Sequence, residues 1–206
     1  MQSAEIELKF PAGDVAVLQA RLAGLGFHLD TPRTFEQNTL YDTPDRAFRN
    51  SKQILRIRQY GALWTVTHKR PQPADAEGAG RYKVRIETET HVEDGPTLGL
   101  IFEQLGYAPM FRYEKFRTEW SEIALADAYV RTLGHLVIDE TPIGTYAELE
   151  GPTSWIDATL ARLEVDPATC LTDSYGKLFL TWKARTGSAA ENLTFDEIEQ
   201  AVPAMR

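Results

Sequence analysis

Glu5, Glu7 and Lys9 alternate with Ile6, Leu8 and Phe10, a period of two that reads as a strand with one ionic and one apolar face. Asp14 to Leu25 places Val15, Leu18, Leu22 and Leu25 on one helical stripe, with Gly26 just past it. That is an amphipathic helix with a glycine stop. Asn38–Asp42 reads as a strand running into a turn at Thr43–Asp45. Strand patterns recur at Ile54–Gln59, Leu63–Lys69 and Arg81–Glu89, and PQPADAEGAG at 71–80 has the composition of a connecting loop. The spacing predicts a helix over Pro96–Leu105, then strands over Phe111–Trp120, His135–Thr141 and Thr145–Glu150. Helices are expected at Thr153–Leu163 and Ser174–Lys183. Thr194-x-x-Glu197 has a capping-box spacing, so a short peripheral helix is expected in a tail over 186–206, with the domain proper at 1–185. Leu25-Gly26-Phe27 and Leu105-Gly106-Tyr107 echo each other. The echo reads either as two similar halves or, more simply, as a helix stop used twice.

Composition narrows the classes. The 206 residues suit one domain, and 43% hydrophobic with 25% charged residues is ordinary for a globular protein. Lys and Arg total 22 against 30 Asp and Glu, a formal charge of −8, which argues against general nucleic-acid binding. No apolar run nears the ~20 residues of a membrane span. MQSAEIELKF enters a charged strand at once, so no signal peptide is expected and the location is read as cytoplasmic, as a monomer or homodimer. Cys170 stands alone, which excludes an intrachain disulfide and a multi-cysteine zinc site. It reads as a small packed hydrophobe. His28, His68, His91 and His135 form no ligand spacing and read as structural or surface groups, His68 facing the helix layer. The four tryptophans, at 64, 120, 155 and 182, are expected between sheet and helices. There is no Walker-type or dinucleotide-binding glycine motif.

The ionic faces change the picture. Beyond Glu5, Glu7 and Lys9, the strands carry Arg56 and Arg58, Lys69, then Lys83, Arg85, Glu87 and Glu89, then Lys115 and Arg117, Asp139, and Glu148 with Glu150. For one strand, a solvated face with cross-strand ion pairs is explanation enough. For so many, with several amphipathic helices needing an apolar surface, the economical fold is α+β: a closed antiparallel β-barrel with helices outside and the ionic faces inside. Interior charge is costly unless paired or ligated, so the lumen should be wet and hold a polyanion. Lys and Arg suit several phosphates, and paired carboxylates suit hard Mg²⁺ or Mn²⁺. The expected chemistry is phosphoryl or nucleotidyl transfer on a triphosphate-containing small molecule.

The ordered motifs resemble a known family. Glu5-x-Glu7-x-Lys9, Tyr41-Asp42-Thr43-Pro44, Leu55-Arg56-x-Arg58, Thr67-x-Lys69, Arg85-x-Glu87-x-Glu89, Lys115-x-Arg117, Ile138-Asp139, Glu148-Leu149-Glu150-Gly151 and Ser174-Tyr175 are similar to the CYTH family, the triphosphate tunnel metalloenzymes, over roughly residues 4–183. The resemblance implies an eight-stranded tunnel binding a triphosphate with Mg²⁺ or Mn²⁺. It implies metal ligation by Glu5, Glu7, Glu148 and Glu150, with Asp139 and Glu87 supporting. It implies phosphate contacts from Lys9, Arg56, Arg58, Lys69, Arg85, Lys115, Arg117 and Lys177. The residues expected to carry catalysis are Glu5, Glu7, Lys9, Lys69, Glu148 and Glu150. Family members divide between triphosphatases and class IV adenylyl cyclases. Four residues precede Glu5 here, without the His-Phe element found ahead of the signature in some cyclases, so triphosphate hydrolysis is the first expectation. Adenylyl cyclase comes second, and a non-catalytic polyphosphate-binding module third.

Overall fold

The computed structural model describes residues 2–72, 81–126 and 129–201. Eight strands form a closed antiparallel barrel: β1 (Gln2–Pro11), β2 (His28–Asp42), β3 (Ile54–Tyr60), β4 (Leu63–Pro71), β5 (Lys83–Val92), β6 (Ala108–Ala126), β7 (Tyr129–Thr141) and β8 (Gly144–Glu150). Around the barrel the order is β1-β5-β4-β3-β2-β6-β7-β8. The helices outside it are α1 (Val15–Gly24), α2 (Ala47–Asn50), α3 (Gly95–Gln104), α4 (Thr153–Arg162), α5 (Tyr175–Thr186) and α6 (Phe195–Ala201). Both the eight strands and the external helices match the expectation from alternation. No described helix is long and apolar enough to cross a membrane.

The order β1-α1-β2-β3-β4 is repeated as β5-α3-β6-β7-β8, apart from the single turn of α2. The Leu-Gly echo marks the same corner in each half. Gly26 (φ +86°) and Gly106 (φ +90°) turn the chain from helix into the next strand, a left-handed conformation that favours glycine. Asp14 starts α1 by accepting from the amides of Ala16 and Val17 at 2.8 and 3.1 Å. Asp94 starts α3 through Thr97 N at 2.9 Å.

The apolar core lies between barrel and helices. Leu8, Leu136, Ile138 and Leu149 from the strands meet Leu22, Ile156 and Leu160 from α1 and α4, all at 1% exposure or less. Each such side chain contributes roughly 1.5–3 kcal/mol by leaving water. Close approach needs glycine at Gly95 and Gly134, where a Cβ would stand 2.1 Å from Trp64 and 2.4 Å from Trp155. Trp120 belongs to the same core and Trp182 stacks on Phe179, so all four tryptophans lie where expected.

Four elements differ from the sequence reading. β2 begins ten residues earlier than Asn38, because its first half has no apolar alternation and contains Pro32. Register shifts on both sides of Thr31 accommodate that proline. β6 and β7 pair well beyond the stretches expected for them. The turn α2 went unanticipated; Asp42 builds it by accepting from the amides of Thr43, Phe48 and Arg49 at 2.8–2.9 Å. The expected loop falls largely on residues 73–80, outside the described residues.

The C-terminal segment is pinned before it reaches α6. Leu193 exchanges backbone hydrogen bonds with Arg112 and Glu114 of β6. Ala190, Leu193 and Ile198 share a core with Tyr113, Tyr175 and Phe179. Glu197 accepts from the amides of Glu191 and Asn192, while its own amide reaches Thr194 Oγ1 at 3.4 Å.

Candidate functional site: the barrel interior

Alternation along each strand carries charged side chains into a cavity of about 990 Å³. Among the described residues, eight basic and eight acidic side chains line it. Glu36 and Asp139 are buried at 0% exposure in its wall, so acids outnumber bases by two. Of the predicted site residues, Glu5, Glu7, Lys9, Arg56, Arg58, Lys69, Arg85, Glu87, Lys115, Arg117, Glu148 and Glu150 all reach the cavity.

One side of it is a dense ionic network. Asp139 Oδ1 accepts from Arg117 Nε at 2.7 Å; its Oδ2 accepts from Arg117 Nη2, Lys115 Nζ and the Tyr175 hydroxyl at 2.7, 2.8 and 2.6 Å. Arg117 Nη2 also reaches Glu148 at 3.0 Å, and Lys9 pairs with Glu148. The ring of Tyr175 lies 4.1 Å from Lys9 Nζ and 5.0 Å from that of Lys115, close enough for cation–π attraction. Burial favours the neutral form of each group, and the pairing overrides it. Burial alone would raise Glu148, but Lys9, Arg117 and Lys115 hold it well below the usual carboxylate range. Burial would likewise raise Glu36, yet Lys115, Arg117, Arg58 and Arg56 bring it down to about 2. Burial would lower Lys9, and Glu148, Glu7 and Asp139 raise it instead.

The opposite wall is looser. Arg56 donates to Tyr113 Oη and Thr67 Oγ1 at 3.2 and 3.1 Å. Arg58 reaches Glu89 at 3.3 Å. Arg85 Nη1 is buried without a hydrogen-bond partner among the described residues, leaving a donor free for an anion.

β1 and β8 form the acidic wall, with Glu7 directly opposite Glu150 and Lys9 opposite Glu148. Two lysines from neighbouring strands occupy it. Lys69 bridges Glu5 at 2.6 Å and Glu87 at 2.8 Å, and Lys83 pairs with Glu7. Glu150 stands at the rim without such a partner among the described residues; burial of its carboxyl, then Glu5 and Glu7, push it up to about 7. Among the described residues no three acidic or histidine side chains already converge as a cation cage. The donor set nevertheless fits a hard divalent ion. Its carboxylates come from adjacent strands, and their mutual repulsion at Glu150 is what such an ion would relieve.

Two predicted residues do not join the site as expected. Asp139 was expected to support a metal, but both its oxygens are taken by Arg117, Lys115 and Tyr175 behind the cavity wall. It therefore orients cations. Lys177 was expected to reach phosphate; its side chain is 66% exposed and pairs with Asp173 at 2.7 Å. Conversely, Glu36 and Tyr175 are positioning residues that the sequence reading did not place. Glu36-x-Asn38 was hidden because the other face of that strand mixes Phe35, Gln37 and Thr39. His91 and His135 also line the cavity, contrary to the structural or surface role expected of them. Their parity with Glu89 and with Asp139 was the available signal.

Known proteins share this architecture. The CYTH domain family matches residues 3–158. A curated relative from Methanocaldococcus jannaschii, named "Putative adenylate cyclase MJ0240", is 29% identical over 113 residues, 55% of this chain and 61% of the relative. The match thus spans less than two thirds of that relative's length. Among solved structures, a "putative adenylate cyclase" from Vibrio parahaemolyticus superposes with a TM-score of 0.67 at 17% identity, covering 85% of this chain and 97% of that one. The PH1819 protein from Pyrococcus horikoshii gives 0.63 at 22% identity, covering 86% and 99%. A Hippeastrum protein whose structure is described as revealing "a dominant triphophatase activity" gives 0.55 at 17% identity, covering 89% and 96%.

Proposed function

Because this chain belongs to the CYTH family, whose members are enzymes of the adenylyl cyclase and triphosphatase kinds, we propose that it is a divalent-metal-dependent triphosphatase acting on inorganic triphosphate or a small organic triphosphate. One observation carries this reading: sixteen charged side chains, eight of each sign, line the cavity among the described residues, and its apolar lining is limited to Leu40, Ile54 and Val137 beside two tyrosines. Its two tyrosines are already engaged, Tyr113 with Arg56 and Tyr175 with Asp139.

Phosphate binding falls to Arg85, Arg56, Arg58, Lys9, Lys115 and Arg117. The arginines offer forked donors and the lysines point charges. Asp139 and Glu36 hold Lys115 and Arg117 in place before substrate arrives, so little reorganisation remains at the moment of reaction. Glu5, Glu7, Glu148 and Glu150, with Glu87 beside them, would hold Mg²⁺ or Mn²⁺. When bound, such an ion supplies charge neutralisation on the phosphates and a more acidic water. The barrel walls keep the polyphosphate extended and in line for attack by water at one end.

The name of the Methanocaldococcus relative favours a second reading, cyclisation of ATP. That reaction needs a nucleoside pocket presenting the ribose 3′-hydroxyl. A product assay with Mg²⁺ or Mn²⁺ decides between them. Phosphate plus pyrophosphate from inorganic triphosphate, with ATP largely intact, supports hydrolysis. Cyclic AMP plus pyrophosphate from ATP overturns it in favour of the cyclase. Tight triphosphate binding without turnover would leave a polyphosphate-binding module.

A further inference from the structure

The cavity contains two kinds of ion pair. Asp139 and Glu36 are fully buried, and Asp139 is gripped by four donors on three residues. These counter-ions are permanent, because separating them would strand charge in a dry wall. The pairs on the acidic wall are different. Lys83 and Glu7 face each other across β1 and β5, with side chains 19% and 13% exposed and a single contact between them. Lys69 is 14% exposed and is shared between Glu5 and Glu87. A lysine head on a flexible stem can swing to another acceptor at little cost.

We propose that Lys83 and Lys69 are exchangeable counter-cations: they occupy Glu7 and Glu5 until triphosphate draws them away, so metal and triphosphate each bind weakly alone and tightly together. This inference rests on the triphosphate reading of the same cavity. Three observations support it. Glu5, Glu87 and Glu7, three of the carboxylates suited to a divalent ion, are already paired with these ammonium groups, which a metal must displace. Acids outnumber bases by two around the cavity, so a metal-free polyanion meets net repulsion. Both lysines also line the cavity, where a phosphate oxygen can replace the carboxylate they give up. Coupling of this kind is reciprocal: each ligand raises the other's affinity by the same factor.

The test is calorimetry with Mn²⁺, with imidotriphosphate (a non-hydrolysable triphosphate) in chelator, and with each in the presence of the other, correcting for their complex in free solution. In the unaltered protein each affinity should rise at least tenfold when the other ligand is present. Lys83→Met should bind Mn²⁺ alone several-fold tighter and lose most of the coupling, while Lys83→Arg should keep it. Lys69→Met should shift in the same direction as Lys83→Met, and circular dichroism would confirm that each variant is folded. A coupling factor within twofold of one, with both probes binding, overturns the exchange and leaves the triphosphate reading standing. Unchanged or weaker Mn²⁺ binding in Lys83→Met also overturns it. Failure of both probes to bind in any combination removes the triphosphate reading, and the exchange with it.

Discussion

Asp139→Asn tests the division between residues that hold the cavity together and those that receive ligand. The substitution keeps an acceptor but removes the charge shared by Arg117 and Lys115, from a carboxylate that is itself fully buried. Asn also presents an NH₂ group where Arg117 or Lys115 now donates. Glu36 stays as a nearby anion, at 3.3 Å from Lys115 and 3.9 Å from Arg117, and softens the loss. Breaking a buried pair by removing one partner costs about 3–5 kcal/mol; with Glu36 in place the lower end, about 3 kcal/mol, is expected. For a chain of this size that corresponds to a fall in Tm of about 6–12 °C. Urea unfolding in chelator, followed by fluorescence of Trp120 and Trp155 in the core, measures it directly. Glu7→Gln is the control. Its carboxylate makes a single, partly solvated pair with Lys83, so the change should stay within about 1 kcal/mol. If Asp139→Asn unfolds like the unaltered protein but no longer gains stability from Mn²⁺, Asp139 is a metal ligand after all, and its role as the anchor of Arg117 and Lys115 is refuted.

Further expectations concern pH, phosphate contacts and the core. Glu36 ionises more readily folded than unfolded, so its contribution, about 3 kcal/mol at most, is complete above pH 4.5 and is lost as pH falls toward about 2. Glu150 does the opposite: raised to about 7, it binds its proton more tightly when folded, so metal-free stability declines as pH rises from 4.5 through 7. Because Glu150 is solvent-exposed as a residue, the decline should be modest, and Glu150→Gln should flatten it in chelator titrations of urea midpoint against pH. Arg85→Ala, removing an unpaired donor, should raise KM for triphosphate about tenfold or more, whereas Lys177→Ala should leave kcat and KM unchanged; equal effects would refute the placement of both. Leu149→Asp, at a position with 0% exposure, should abolish cooperative unfolding or cost more than about 4 kcal/mol, and retention of a normal calorimetric transition would contradict the inside-out arrangement of core and lumen.

Much of the barrel was legible because period-two alternation is a local property. Glu5-x-Glu7-x-Lys9, Arg56-x-Arg58 and Glu148-x-Glu150 announce which face each strand gives to charge, and the number of such strands demands closure. The first half of β2 was illegible for a matching reason. With polar residues on both faces and Pro32 at a register irregularity, nothing local distinguishes it from a loop, and only pairing with β6 makes it a strand.

The candidate site divides along the same line. Alternation put twelve of the predicted residues into the cavity, because side-chain direction on a strand follows from parity. Parity cannot say which charge meets which. Asp139 lies on the inward face, yet the tertiary fold spends its oxygens on Arg117, Lys115 and Tyr175. Glu36, hidden in an undistinguished stretch of sequence, becomes a fully buried counter-ion once β2 lies beside β6. Lys177 follows Ser174-Tyr175, but the helix turns it outward to Asp173. The chain alone therefore determined the inventory of charge and the surface on which it gathers. Pairing, burial and ionisation were decided only when strands distant in sequence came together, because Coulomb energy depends on separation and on the water excluded between the groups.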